Sequence, residues 1–203
     1  MVEDCLALSA RLGASFYSVH AGWVTDPIGV GATSLILADA DEAEAAAAAD
    51  RFRRSLEHLI GQAEEYGVDL LLENNVCTPA LRGKVLLAES SEFAELLAEL
   101  RSDRLGILLD FGHLRVSART LGFEPLEFVD ELAGDIRAFH AHDNDGSSDT
   151  HDPVAEGSWV LDVLRRPEHA GAAVVAEARV RDPDSLAVQL GLLASTIATA
   201  GAQ

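Results

Sequence analysis

The sequence predicts an α/β fold and, within that class, an incomplete (β/α)8 TIM barrel with about six βα units. Three observations support this prediction. Helical patterns and short apolar runs alternate along the chain, which is typical of βαβ units and a parallel sheet. The apolar runs are continuous, as expected for strands that are buried on both faces. Each run ends in a residue that can bind a metal or move a proton: His20, Glu73, Asp110, His140 and Glu177.

The first half of the chain contains two helical patterns and two apolar runs. They predict a helix over residues 2–12, a strand over 15–20, a helix over 41–66 and a strand over 68–73. The long helix is the clearest, because alanines fill it and an apolar stripe recurs at helical spacing. Asp39 or Asp41 is its predicted N-cap, and Gly67 is its predicted end. The segment before this helix, residues 23–40, is predicted to be a loop.

The second half continues the alternation. It predicts helices over residues 91–101, 124–133, 157–166 and 183–200, and strands over 105–110, 136–140 and 172–177. Ser90 or Ser91 is the predicted N-cap of the first of these helices. TIM barrels build their sites from the carboxyl ends of several strands, whereas an open doubly wound sheet gathers its site at one switch point. Five strand ends with metal or proton chemistry therefore favour the barrel.

Composition narrows the class of protein. The 203 residues suffice for one domain over residues 1–203. The net charge of −19, from 15 basic and 34 acidic residues, argues against a nucleic-acid partner, because proteins that bind polyanions usually carry Lys and Arg. No apolar run reaches the roughly 18 residues that cross a bilayer, and the acidic N-terminus lacks the basic flank of a signal peptide. We therefore expect no membrane partner and a cytoplasmic location.

Four of the strand ends form a candidate metal site. A lone acid at the end of a strand is often a helix cap or a surface charge. The repetition across four strands instead favours a shared site, because divalent metals take carboxylate oxygens and imidazole nitrogens as ligands. The predicted ligands are Glu73, Asp110, His140 and Glu177. Mn, Mg, Co and Zn all accept this mixed set, so the identity of the metal stays open.

Short motifs lie at these strand ends. In chain order they are His20-Ala-Gly22, Leu72-Glu73-Asn74-Asn75, Asp110-Phe-Gly-His113, His140-Ala-His-Asp-Asn-Asp-Gly146, Asp149-Thr-His151 and Val175-Ala-Glu177. Together they resemble the motifs of the xylose isomerase-like TIM-barrel superfamily, which includes sugar phosphate isomerases and epimerases and the family 2 AP endonucleases. The motifs come in the family's order, so the set is far more specific than any one of them.

This resemblance implies a divalent-metal-dependent isomerase or epimerase of a sugar, a sugar phosphate or a polyol ketone. Glu73 and Glu177 would be catalytic as well as metal-binding. One would remove a proton beside a carbonyl, and the other would return one to the opposite face of a metal-stabilised enediolate. His113 would donate a hydrogen bond near the substrate oxygens. The partner would then be a small carbohydrate.

Further residues carry open alternatives. In the endonuclease branch, positions equivalent to His20, Asp149 and His151 bind additional zinc ions, so these residues are candidates for a second metal or for substrate contact. The alternative is that Asp149 and His151 only order the loop that carries them. Trp23 and Asn75 are candidate residues of the substrate pocket.

The remaining histidines and the cysteines have plainer predictions. His58 and His169 lie in polar surroundings and are expected to be solvated. His142 is expected to be an outer partner of the site at most. Cys5 and Cys77 have neither zinc-finger spacing nor the pattern of a disulfide framework.

The chain is shorter than the family it resembles, which is usually about a third longer. By the resemblance, the first two strands are missing, which would leave two open sheet edges. A misplaced gene start, a partial barrel that closes as a homodimer, and a degraded inactive copy are the competing explanations. Two functional alternatives remain open. One is an AP-endonuclease-like zinc phosphodiesterase, which the resemblance includes, and the other is an inactive barrel fragment.

Overall fold

The computed structural model describes residues 1–31 and 35–200. Its elements, in chain order, are α1 (Val2–Leu12), β1 (Phe16–Val19), β2 (Pro27–Val30), β3 (Leu35–Leu37), α2 (Glu42–Tyr66), β4 (Asp69–Glu73), α3 (Ser90–Leu100), β5 (Leu105–Asp110), α4 (Phe111–Leu121), α5 (Pro125–Leu132), β6 (Ile136–Ala141), α6 (Trp159–Leu164), a 3₁₀ turn (Pro167–His169), β7 (Ala173–Ala176) and α7 (Pro183–Ala200). Every helix and strand that the sequence predicts is present among them.

A five-stranded parallel sheet forms the centre of the fold. Its strand order is β1-β4-β5-β6-β7, so each strand lies beside the next sheet strand in sequence. Each of these strands is followed by at least one helix, which gives five βα units in addition to the leading helix α1. Sequential parallel pairing with helices outside is the arrangement of a TIM barrel. The sheet is half of such a barrel, which confirms the predicted fold class.

Both faces of this sheet are apolar. Every residue of β5 is buried, and so is every residue of β4 after the first. The inner face carries a small buried cluster of Leu71, Leu108 and Ala138. The outer face packs against the helices in the main hydrophobic core. Because apolar side chains fill both faces, polar chemistry is left to the strand ends and the loops that follow them.

Helix α2 begins and ends as local chemistry predicts. Its N-cap is Asp41, whose carboxylate accepts the backbone N–H of Glu44 at 2.8 Å, while the carboxylate of Glu44 accepts the backbone N–H of Asp41 at 2.9 Å. This reciprocal pair is a capping box. Gly67 ends the helix with a φ of 68°, a left-handed conformation that favours glycine.

Two predictions about the connecting segments are wrong. Helix α3 is capped by Glu89 rather than by Ser90 or Ser91, because Glu92 reaches back to accept the backbone N–H of Glu89 at 3.0 Å. The segment predicted as a loop over residues 23–40 contains strands β2 and β3, which pair antiparallel, while residues 32–34 of that prediction lie outside the described residues. Pro27 and Gly29 obscure β2 in the sequence, since both residue types are disfavoured in strand interiors.

Helix α4 is the largest element that the sequence analysis did not predict. It begins directly after Asp110, whose side chain caps it by accepting the backbone N–H of His113 at 2.7 Å. Further along the helix, the Ser117 hydroxyl accepts the backbone N–H of Cys77 at 2.8 Å and donates to the carbonyl of Asn75 at 3.0 Å. The helix therefore starts at one strand end and holds the loop that follows another.

Strands β1 and β7 are the edges of the sheet, and each pairs with one neighbour in it. Val175 of β7 is 43% exposed, in contrast to the fully buried central strand β5. Within residues 1–31 and 35–200, none of the helices is both long and apolar enough to cross a membrane.

Candidate metal centre

The four predicted metal ligands converge at the carboxyl ends of four neighbouring strands. His140 lies at their centre. It is the register partner of Asp110 across β5 and β6. The Nδ1 atom of His140 is 3.3 Å from Glu73 Oε1, 3.5 Å from Asp110 Oδ2 and 3.2 Å from Glu177 Oε2. Three carboxylates from three strands thus surround one imidazole nitrogen.

The solvent exposure of the carboxylates increases from one side of this centre to the other. The side chain of Asp110 is fully buried, that of Glu73 is 10% exposed and that of Glu177 is 39% exposed. Glu73 ends β4, whereas Glu177 follows the edge strand β7. The two glutamates therefore lie on opposite flanks of the Asp110–His140 pair, and the open side of the centre is at Glu177.

Asn74 joins the first two strand ends. Its side-chain oxygen accepts the backbone N–H of Asp110 at 2.6 Å, and its side-chain amide donates to the carbonyl of Asp110 at 3.0 Å. This pair of bonds replaces the ladder hydrogen bonds that end with the strands. In the sequence, Asn74 stands out only as part of the Leu72-Glu73-Asn74-Asn75 motif, and the structure assigns it this bridging position.

His113, in the first turn of α4, contacts residues at the end of β4 and in the loop after β6. Its Nδ1–H donates to the carbonyl of Asn74 at 2.9 Å, and its Nε2 lies 3.4 Å from Asp149 Oδ2. Its ring stacks on that of His20, with the centroids 5.3 Å apart. His113 therefore lies between the main centre, where its Nδ1 is 3.5 Å from Glu73 Oε1, and Asp149 in the loop after β6.

A second cluster adjoins the first. It consists of His142, Asp149 and His151, whose ligand atoms lie within 4.8 Å of one another. His151 Nε2 is 3.0 Å from Asp149 Oδ2. His142 Nδ1 and Asp149 Oδ1 face each other at 3.8 Å, and both are buried without a hydrogen-bond partner among the described residues. His20 lies against His113 rather than in this cluster.

The electrostatics of the two clusters favour bound cations. Burial lowers the pKa of His140, but hydrogen bonds to Asp110 and Glu73 and the neighbouring negative charges outweigh burial and raise it to about 10. In the same way Asp110, Asp149 and Glu73 overcome burial and raise the pKa of His113 to about 9. The carboxylates thus hold protons on the imidazoles. A divalent ion would supply the same positive charge, and its ligands would release those protons.

The donor set also fits a metal by chemistry. Glu73, Asp110 and His113 form one group of ligand atoms within 4.8 Å, and Asp110, His140 and Glu177 form another that shares Asp110. Both groups mix carboxylate oxygen and imidazole nitrogen, which suits the divalent metals of the first transition row. His142 Nδ1 and Asp149 Oδ1, which lack hydrogen-bond partners among the described residues, are further ligand atoms available to a cation.

Trp23 and Asn75 occupy different positions. Trp23 is 39% exposed, and its ring lies 5.4 Å from that of His20, at the rim of the site. Asn75 is buried, and its side-chain amide donates to the backbone carbonyls of Ala21 and Leu86. It ties together the loops after β1 and β4, so its donors are already engaged.

Three predictions about histidines can be compared with their positions. His58 is exposed, as expected, and contacts Glu3. The prediction for His169 is wrong: it is 4% exposed and lies edge-on to Phe139, with the ring centroids 5.1 Å apart. His142 is fully buried, with Nε2 2.9 Å from Asp110 Oδ2. Strand alternation, which places it on the same side as His140, was the signal for this position.

Comparison with known proteins places the chain in a family. The family model described as xylose isomerase-like TIM barrel matches residues 1–194. An uncharacterised Methanocaldococcus jannaschii protein is 34% identical over 135 residues, 63% of this chain and 43% of that protein. Fructoselysine 3-epimerase of Escherichia coli O157:H7 is 32% identical over 116 residues, 57% of this chain and 39% of the epimerase. The matches span about two fifths of the length of these curated relatives.

Solved structures show the same fold. A D-tagatose 3-epimerase-like protein superposes with a TM-score of 0.74 at 22% identity, covering 98% of this chain and 68% of the other. A Thermus thermophilus protein whose crystal was soaked with zinc chloride superposes with a TM-score of 0.60 at 25% identity, covering 96% of this chain and 67% of the other.

Proposed function

The chain belongs to the xylose isomerase-like TIM-barrel family, and from that premise we propose that it is a divalent-metal-dependent isomerase or epimerase of a sugar, sugar phosphate or polyol ketone. Epimerases among its relatives and structural neighbours support an isomerase over other chemistry. The observation that carries the proposal is the position of two glutamates, Glu73 and Glu177, on opposite flanks of the Asp110–His140 pair.

The proposed ligands are Glu73, Asp110, His140 and Glu177. A divalent ion held there would stabilise negative charge on the substrate oxygens beside the reacting carbon. The approach of Glu73, Asp110 and Glu177 to His140 Nδ1 supports this set, as does the excess of carboxylates around that atom. The zinc chloride soak of one structural neighbour is compatible with this role but does not select among Mn, Mg, Co and Zn.

The chain's own residues would divide the proton transfers. Glu73 on one flank and Glu177 on the other approach His140 Nδ1 at 3.3 and 3.2 Å, and an epimerisation requires two such groups, one that removes and one that returns a proton. The partial exposure of Glu177 leaves the substrate a way in from that side. We assign His113 the role of a hydrogen-bond donor to substrate oxygens, with Trp23 as an apolar wall at the rim.

Deuterium exchange tests this function directly. The Mn²⁺-loaded chain is incubated in D₂O with a panel of ketoses and ketose phosphates, and NMR follows the hydrogen on the carbon beside the carbonyl. We expect deuterium incorporation and the appearance of the epimer. Glu73→Gln and Glu177→Gln should each slow exchange by roughly 10²–10⁴-fold, the usual worth of a general base. Exchange that persists unchanged in both variants would overturn the assignment of the glutamates.

The second candidate is an AP-endonuclease-like phosphodiesterase. The partnerless pair of His142 Nδ1 and Asp149 Oδ1 favours it, because this pair and His151 offer ligands for a second cation. The net charge of −19 argues against it, since DNA binding draws on basic side chains. More than one zinc per chain together with cleavage of abasic DNA would select this candidate. A chain that takes up no metal would instead match the inactive fragment.

The proposed partner is a small carbohydrate, which would be the substrate of the whole protein. The cytoplasmic location, the absence of a nucleic-acid or membrane partner, the single-domain organisation and the homodimer stay predictions from the sequence.

A further inference from the structure

His142 is a fully enclosed polar side chain beside the centre. It follows β6 by one residue and has no exposed surface. Its Nε2 lies 2.9 Å from Asp110 Oδ2, and because a carboxylate only accepts, Nε2–H donates this bond. Asp110 is equally buried. The bond therefore joins two groups that solvent does not reach.

A glycine makes room for this ring. A methyl group added at Gly112, in the first turn of α4, would overlap the Cε1 atom of His142. No other residue can occupy this position while the imidazole stays where it is. The close approach of the His142 ring thus explains why the Asp110-Phe-Gly-His113 segment carries a glycine in a helix, where glycine is otherwise unfavourable.

Two further rings fix the imidazole from its other sides. His151 stacks on it, with the centroids 4.1 Å apart and an interplanar angle of 15°. His113 meets it edge-on, with the centroids 6.2 Å apart. A ring enclosed in this way has little freedom to turn its Nε2–H away from Asp110.

We propose that His142 is a positioning residue that orients the carboxylate of Asp110 toward the metal centre. This inference rests on the proposed function, because it takes Asp110 as a ligand. The backbone N–H of His113 holds Asp110 Oδ1 at 2.7 Å, and His142 holds Oδ2. One donor on each oxygen opposes rotation of the carboxylate. Its Oδ2 is thereby kept facing His140 Nδ1, which lies 3.5 Å away.

Metal affinity of the full chain tests the role of His142. Titration with Mn²⁺, followed by electron paramagnetic resonance or calorimetry, compares the parent with His142→Leu and His142→Gln. We expect His142→Leu to weaken Mn²⁺ binding by roughly 10–100-fold, as loss of an outer partner of a ligand typically does. His142→Gln, whose amide N–H can reach the same oxygen, should stay within a few-fold of the parent. His58→Leu, at the exposed histidine of α2, is the matched control and should bind as the parent does.

A second route reaches the same contact without replacing His142. Gly112→Ala should displace the imidazole and weaken Mn²⁺ binding about as much as His142→Leu. The double variant should be no worse than either single one, because both changes remove the same contact. If His142→Leu does not fold, the comparison of Gly112→Ala with His142→Gln decides the question by the same measurement.

Each failure has its own signature. If the parent binds no Mn²⁺, the proposed function and this inference both fall. If the parent binds Mn²⁺ and Glu73→Gln weakens binding, but His142→Leu binds as tightly as the parent, only the role of His142 is wrong. Equal losses of Mn²⁺ affinity in His142→Leu and His142→Gln would also overturn the positioning role. So would a parent that binds two Mn²⁺ ions and a His142→Leu variant that loses one of them while binding the other as tightly as before, because His142 would then be a ligand.

Discussion

The two ends of the parallel sheet both gather buried or half-buried charge, but they neutralise it in opposite ways. At the amino ends, the carboxylate of Asp69 is held by two guanidinium groups, with Arg104 and Arg137 each donating at 2.9 Å. At the carboxyl ends, the cationic partners of the carboxylates are all histidines among the residues that the structure describes; these carboxylates are Glu73, Asp110, Asp149 and Glu177. One end carries its own cations, and the other is left with an excess of negative charge.

This difference separates a structural charge cluster from a candidate binding site. Guanidinium groups cannot give up their charge, so the amino-end cluster is complete as it stands. Imidazoles can release protons, so the carboxyl-end cluster can exchange them for a metal. The raised pKa values of His113 and His140 report the same excess of negative charge.

The largest expected effect is on Mn²⁺ affinity, and a matched pair of variants that each neutralise one carboxylate, one at each end of the sheet, tests it. Asp110→Asn should weaken Mn²⁺ binding by more than the roughly 10–100-fold that loss of an outer partner costs, because it removes a proposed ligand itself. Asp69→Asn, the matched change at the amino ends, should leave Mn²⁺ affinity within a few-fold of the parent. Calorimetric titration of both variants measures this contrast. Equal losses in the two variants would remove the distinction between the ends.

A smaller effect is expected from the amino-end cluster on stability. Arg137→Met keeps the length of the side chain but removes the bond to Asp69. Since both side chains are partly exposed, we expect a loss of about 1–2 kcal/mol in the free energy of unfolding, less than for a fully buried pair. Urea denaturation measures it, with Arg165→Met at the exposed Arg165–Asp162 pair as the control, where the loss should be under about 0.5 kcal/mol. Mn²⁺ affinity should not change in either variant.

The smallest effect concerns a histidine outside the carboxyl-end clusters. His169 precedes β7, and both of its ring nitrogens are buried without hydrogen-bond partners within residues 1–31 and 35–200. Burial lowers its pKa, so the unfolded chain binds the proton more readily than the folded one. Stability contributed by neutral His169 is therefore complete above about pH 6.5 and falls as the pH drops below that value toward the folded pKa.

His169→Phe removes this titration while keeping a ring against Phe139. Between pH 7.5 and 5.5 the variant should lose less stability than the parent, by at most about 1.4 kcal/mol per pH unit. Urea denaturation across this range compares the two slopes, and taking their difference cancels the titration of the other histidines. Parallel slopes would show that His169 does not titrate with unfolding.

Much of this architecture is predictable from local sequence. The predicted strand over residues 105–110 has the observed bounds, because an apolar run that is buried on both faces is unambiguous. Helix α2 is equally clear from its capping box and its terminal Gly67. Helix α4 is not, since Gly112 and the β-branched Val116 weaken its helical pattern. It exists because Asp110 caps its first turn and because the helix packs against the sheet.

The sequence by itself determined the alternating elements, the family and the residues at the strand ends, because hydrophobic periodicity and short motifs are local properties of the chain. Only the tertiary structure decided the lateral arrangement. It aligned Asp110 with His140 across neighbouring strands, buried His142 against Gly112 and enclosed His169 beside Phe139. These contacts join residues of separate elements, and their geometry follows from strand register and packing, which no single segment encodes.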